Sequence, residues 1–197
     1  MNTEQYAELI EAMRHSVATR YGVPPVELRP PATPERVAAA GERLGVAIPE
    51  DVAALLQAAD GGSLFGQGIQ FAPVHPYNEN SDPNQIALVT ATEAIRGFVS
   101  QPDRLGGEIE YVPRPDFISL TTGGQHGLCY EVSGPNAGSI LYFSVLDIEW
   151  HIARVAPSLQ NVFLAARECV DIYPEFIITD TNEHVFRKYG IDTRLNG

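Results

Sequence analysis

The hydrophobic period of this chain changes near Phe65, and that change limits the folds open to it. Before it, apolar residues recur at three- and four-residue spacing: Tyr6, Leu9, Ile10, Met13 and Val17, then Val37, Ala40 and Leu44, then Val52, Leu55, Leu56 and Ala59. Such spacing puts each set on one face of a helix. Helices are therefore expected over 4–20, from Pro34 to Leu44, and from Pro49 to Ala59. Their ends are marked. Gly22 with Pro24-Pro25 stops the first, Thr33 caps the second ahead of Pro34, and Gly45 closes it. Glu50 and Asp51 place negative charge at the positive end of the third, which Asp60-Gly61-Gly62 breaks.

Beyond Phe65 the chain reads as short β-prone pieces separated by Gly and Pro: 69-IQFAPV-74, 109-IEYV-112, 117-FISLT-121, 127-GLCYEV-132 and 139-SILYFS-144. The last two flank 133-SGPNAG-138, whose composition suits a turn, so they should form an antiparallel hairpin. A short helix is expected over 92–99 and a longer one over 156–170, with Pro157 at its start and Leu159, Phe163, Ala166 and Val170 on one face. Asp180 with Glu183 resembles a capping box for a final helix through Val185 to Tyr189. Helices in front, strands in the middle and a helix behind, without a βαβ repeat, indicate an α+β fold with a mixed, largely antiparallel central sheet flanked by helices.

The order of these segments is informative. The stretch 37-VAAAGERLGVAIPEDVAALLQAADGG-62 has a helix, a small "lg..LP" connection, a second helix and an "NGG"-like end. It closely resembles the opening signature of the SMI1/KNR4, or SUKH, superfamily. The stretches 117-FISLTTGGQHGLCYEVS-133, 139-SILYFSVLD-147 and 152-IARVAPSLQNVFL-164 look like that family's central hairpin and its "iA.sf..fl" helix. Asp60 replaces the usual Asn, and Ile48 the usual Leu before Pro49. Both changes suit the fold, since Asp turns or caps similarly and Ile conserves apolar volume. The 197 residues suffice for one domain. Residues 33–170 are read as the SMI1/KNR4-like domain, 1–32 as a helical extension packed on it, and 171–197 as a C-terminal extension of the same globule. For a bacterial member, the resemblance implies an interaction fold used in immunity proteins that bind and neutralise toxin domains. Fungal members serve as a regulatory partner. It implies neither enzymatic chemistry nor a cofactor.

Charge bears on the partner. Lys and Arg total 13 against 25 Asp and Glu, a formal net charge of -12. That sign opposes binding to nucleic-acid phosphates or an anionic membrane and favours a basic protein partner, which the resemblance would make a toxin domain. Three intervals contain no Lys or Arg. Arg43 to Arg96 holds Glu50, Asp51, Asp60, Glu79, Asp82 and Glu93; Arg114 to Arg154 holds Asp116, Glu131, Asp147 and Glu149; Arg167 to Arg187 holds Glu168, Asp171, Glu175, Asp180 and Glu183. Converging on one side, they would steer a cationic partner; dispersed, they keep the surface soluble. In the polar stretch 72–85, Tyr77 is a candidate aromatic anchor beside Glu79 and Asp82. The expected contact set is Glu50, Asp51, Asp60, Tyr77, Glu79, Asp82, Asp147 and Glu149. Trp150 is read as packing.

Other chemistries are poorly supported. Cys129 and Cys169, 40 residues apart, match no disulfide scaffold, metal cage or compact redox motif. With no export signal and no apolar run of about 18 residues, a cytoplasmic protein with reduced thiols is expected, as a monomer or weak dimer. The five histidines are dispersed, so no metal site is expected, and neither a P-loop nor GxGxxG occurs. The alternative to a binding module is a hydrolase or small-ligand-binding protein using 123-GGQHGLCY-130, with His126 as base and Cys129 as nucleophile. Residues three apart on a strand project to opposite faces, so Cys129 is expected as a core or edge thiol and His126 as a loop histidine.

Overall fold

A computed structural model of the chain describes residues 1–22, 28–63, 70–74, 86–99, 117–121, 126–146, 149–171 and 181–192; at residues 126, 144–146 and 149–152, among others, it describes backbone alone. The expected strand at 109–112 and most of the 72–85 stretch lie outside the described residues.

Helix α1 (Thr3–Tyr21) begins with a reciprocal cap. The Asn2 side chain accepts the Gln5 N–H at 2.9 Å, and Asn2 N–H donates to the Gln5 side chain at 3.0 Å. Its stripe of Tyr6, Ile10, Met13 and Val17 is buried against helices α3 (Glu50–Ala58) and α5 (Leu159–Cys169), with the Tyr6 ring edge-on to Phe163 at 5.2 Å. Helix α2 (Pro34–Leu44) starts where Thr33 accepts the Arg36 N–H and ends at Gly45, which takes φ +69° as a left-handed C-cap. Helix α4 (Ala87–Val99) begins five residues before the expected 92. Its first turns, ALVT, carry β-branched residues that weaken the local helix signal, while burial of Leu88, Val89 and Ala91 holds them in place. Helix α6 (Glu183–Lys188) has Asn182 at its N-cap without a side-chain cap bond; Asp180, the expected cap, lies outside the described residues.

Strands β1 (Gly62–Ser63) and β2 (Gln70–Phe71) pair with each other, and Leu28 bridges to Gly62. The main sheet has the order β3-β4-β5-β6, formed by Phe117–Ser119, His126–Glu131, Ile140–Leu146 and Glu149–Ala156, with every neighbouring pair antiparallel. The hairpin around 133–138 forms as expected, with Tyr130 opposite Ile140. Strand β6 was not expected, because Glu149 and Arg154 interrupt its apolar residues; its pairing with β5 along the whole of that strand defines it. The result is the expected α+β fold. Ile118, Leu128, Tyr130 and Ile140 join the core under the helices, while α4 packs against β3 on Phe117 and Ser119. No described helix is long and apolar enough to cross a membrane.

Candidate partner-binding surface

The first acids of the expected contact set open α3, and the fold treats them differently. Glu50 is exposed. Asp51 is half-buried; its Oδ1 accepts the Val52 N–H at 3.0 Å, and its carboxylate also accepts the Tyr130 hydroxyl. Burial and the Asp51 charge together hold the Tyr130 and Tyr6 phenols well above their usual range. Asp51 thus ties α3 to β4 as well as contributing charge.

Asp60 is not a surface acid. It is 0% exposed, and its Oδ1 accepts the Val74 N–H at 2.7 Å. A carboxylate in that position satisfies a buried backbone donor and is closed to a partner. The helix-breaking Asp-Gly-Gly reads as a loop in the sequence, but Val74, fourteen positions on, folds over it.

Among the described residues, Asp51 of the first interval and Glu149 of the second lie at opposite ends of the main sheet's strand β5. Tyr130, which holds Asp51, pairs with Ile140 at one end of β5, whereas Glu149 pairs with Leu146 at the other. Six residues of strand separate those ends by about 20 Å. In the third interval the described acids, Glu168, Asp171 and Glu183, are matched by bases from neighbouring turns and elements. Glu168 accepts from Lys188 at 2.7 Å and from the Tyr189 hydroxyl at 3.0 Å, Glu183 accepts from Arg187 at 2.7 Å, and Asp171 meets Arg167 at 2.9 Å and Arg20 at 3.8 Å. The Lys188 hydrogen bond holds the Glu168 carboxyl below its usual range. Burial works the other way at Asp171, but Arg167, Ser16 and Arg20 outweigh it. Tyr77, Glu79, Asp82 and Asp147 lie outside the described residues, as does the side chain of Glu149.

One surface feature has no counterpart among the expected residues. Beside α2 lies an open groove of about 520 Å³, walled by Pro34, Ala38 and Glu42 on the helix and by Val46, Ala47 and Ile48 in the connection to α3. Alanines off the buried stripe give little sequence signal. Their placement off the core-facing side of a well-capped helix is the only clue, and it needs the α2–α3 geometry to become a groove.

The thiol expected of a nucleophile is not available at Cys129. Its sulfur is buried, and burial pushes the thiol far above its usual range against a lesser opposing effect of the Ser119 hydrogen bond. A nucleophilic cysteine needs the opposite, a stabilised thiolate. Positions 126 and 129 also have opposite parity along β4. Residues 122–125 of the Gly-rich stretch, and the side chains of His126 and Trp150, lie outside the description.

The sequence profile of the SMI1 / KNR4 family (SUKH-1) matches residues 31–164, from just before α2 into α5. No curated protein matches the chain significantly.

Proposed function

The chain belongs to the SMI1/KNR4 family (SUKH-1), and from that premise we propose that it is a non-enzymatic protein-binding module acting as an immunity protein against a basic bacterial toxin domain. The family match over residues 31–164 carries the reading; the net charge of -12 and the exposed Glu50 support the sign of the partner. Neutralisation on this reading is occlusion in the cytoplasm: long-range attraction brings the cationic domain in, and an apolar or aromatic centre ringed by carboxylates holds it. Glu50, Asp51, Tyr77, Glu79, Asp82, Asp147 and Glu149 remain the proposed contacts, Asp60 being closed off by its burial.

The test is co-expression with toxins encoded next to this chain, scored as rescue of growth, followed by isolation of a 1:1 complex. Rescue with complex formation is the expected outcome. Neither rescue nor binding across the genuine neighbours would reject the immunity role.

A further inference from the structure

Helix α2 presents two faces of different character. Val37, Ala40, Gly41 and Leu44 turn into the core. A neighbouring face leaves Pro34 and Ala38 exposed, and with half-buried Val46 and Ile48 and exposed Ala47 it forms the open groove.

The charges of α2 are sorted about that groove. At about 100° per residue, Glu35 and Glu42, seven positions apart, share the groove's outer flank, and Glu42 is itself part of the wall. Arg36 and Arg43 share the side roughly opposite the groove by the same geometry. All four are exposed. Glu50, two residues past Ile48 in the chain, is a third exposed carboxylate. The floor is therefore apolar, the rim is acidic, and the two arginines of the helix face away.

We propose that this groove docks a basic amphipathic segment of a protein partner, with its apolar side chains in the trough and its Lys or Arg residues against Glu35, Glu42 and Glu50. Charge complementarity selects this occupant: an acidic segment would meet carboxylates on the rim, and a second copy of this chain would bring a net charge of -12 to it. The inference rests on the protein-binding reading above and assigns that binding a surface.

The isotope-labelled full chain is titrated with an amphipathic helical peptide of about 14 residues made of Leu and Lys, and with its Leu and Glu counterpart, while amide shifts are followed. The Lys peptide should shift amides of residues 34–48 and bind at least about tenfold tighter than the Glu peptide. The joint change Ala38→Arg and Ala47→Arg should abolish those shifts with amides elsewhere unmoved, and Glu35→Lys with Glu42→Lys should weaken binding about tenfold. Equal affinity for both peptides, shifts spread over the whole acidic surface, or no shifts at all would overturn the proposal. So would movement of the same amides with protein concentration alone, which would make the groove a contact between copies. The two readings fail separately. Toxin rescue that survives Ala38→Arg with Ala47→Arg removes the groove and keeps the immunity role; groove binding without any rescue does the reverse.

Discussion

Arg96 donates from Nη1 to the backbone carbonyl of Leu44 at 3.0 Å, and from Nη2 to that of Phe117 at the same distance. One guanidinium from α4 therefore joins the C-terminal end of α2 to the start of β3, and it also lies 5.9 Å from the centre of the Phe117 ring. The base that closes the longest base-free interval of the sequence is thus a structural clamp.

Replacing it tests the clamp. Arg96→Met removes both donors and leaves two carbonyls short of a partner, an expected loss of about 1–3 kcal/mol by urea denaturation. Arg96→Lys keeps the charge without the planar fork and should recover only part of that loss. Full recovery by Lys would show that charge alone matters at this position.

Asp60 and Glu50 should separate stability from recognition. Asp60→Ala strands the buried Val74 N–H and should cost about 1–3 kcal/mol, and Asp60→Asn less, because an acceptor oxygen remains. In the folded fraction, neither change should alter how association with the partner depends on salt. Glu50→Gln should do the opposite, slowing association and flattening its salt dependence at a stability cost of no more than about 1 kcal/mol from the lost charge at the start of α3. Stopped-flow binding at two ionic strengths, alongside denaturation curves, distinguishes the two classes.

What the sequence made legible was local. The stripes of α1, α2 and α3 face a single core, so their period survives folding intact, and the turn chemistry of 133–138 specifies the β4–β5 hairpin. What it hid depends on distant partners. Strand β6 is defined by pairing with β5, the burial of Asp60 by Val74, and the pairing of Glu168 by Lys188, twenty residues away. The acid-only intervals were real in sequence, yet Arg20 on α1 and Lys188 on α6 fold back onto the last of them. The groove was hidden for a different reason: Ala38 and Ala47 are too small to mark a face until α2 and its connection are placed together.

Two glycines should respond to alanine with opposite signs. At Gly127 a Cβ would press on the Thr121 hydroxyl and come within 2.7 Å and 2.8 Å of the Phe143 ring. The Thr121 oxygen is already fixed, accepting the Leu128 N–H at 3.2 Å. Gly127→Ala should therefore cost about 1–3 kcal/mol. At Gly97, exposed in α4, a Cβ would meet nothing within 4 Å, and Gly97→Ala should gain about 0.5–1 kcal/mol from helix propensity. Denaturation midpoints moving in the same direction would contradict the packing of β4 against β5.

The buried thiols should make stability fall at alkaline pH. Burial first, and the neighbouring Glu168 charge second, push the Cys169 thiol up to about 12, and burial raises Cys129 as well. In the unfolded chain both titrate near the ordinary thiol value of about 8.5. Above that value the unfolded state binds fewer protons than the folded one, so the unfolding free energy falls as pH rises. Below it the contribution is fully present. Urea denaturation between about pH 7.5 and about pH 9.5 should show this decline, and Cys129→Ala with Cys169→Ala should flatten it even though the double variant starts from a lower stability. The same burial predicts that neither thiol reacts with an aromatic disulfide reagent in the native protein, while both react on unfolding. Rapid native labelling of Cys129 would mean an exposed thiolate at β4, and would restore the nucleophile reading that its burial argues against.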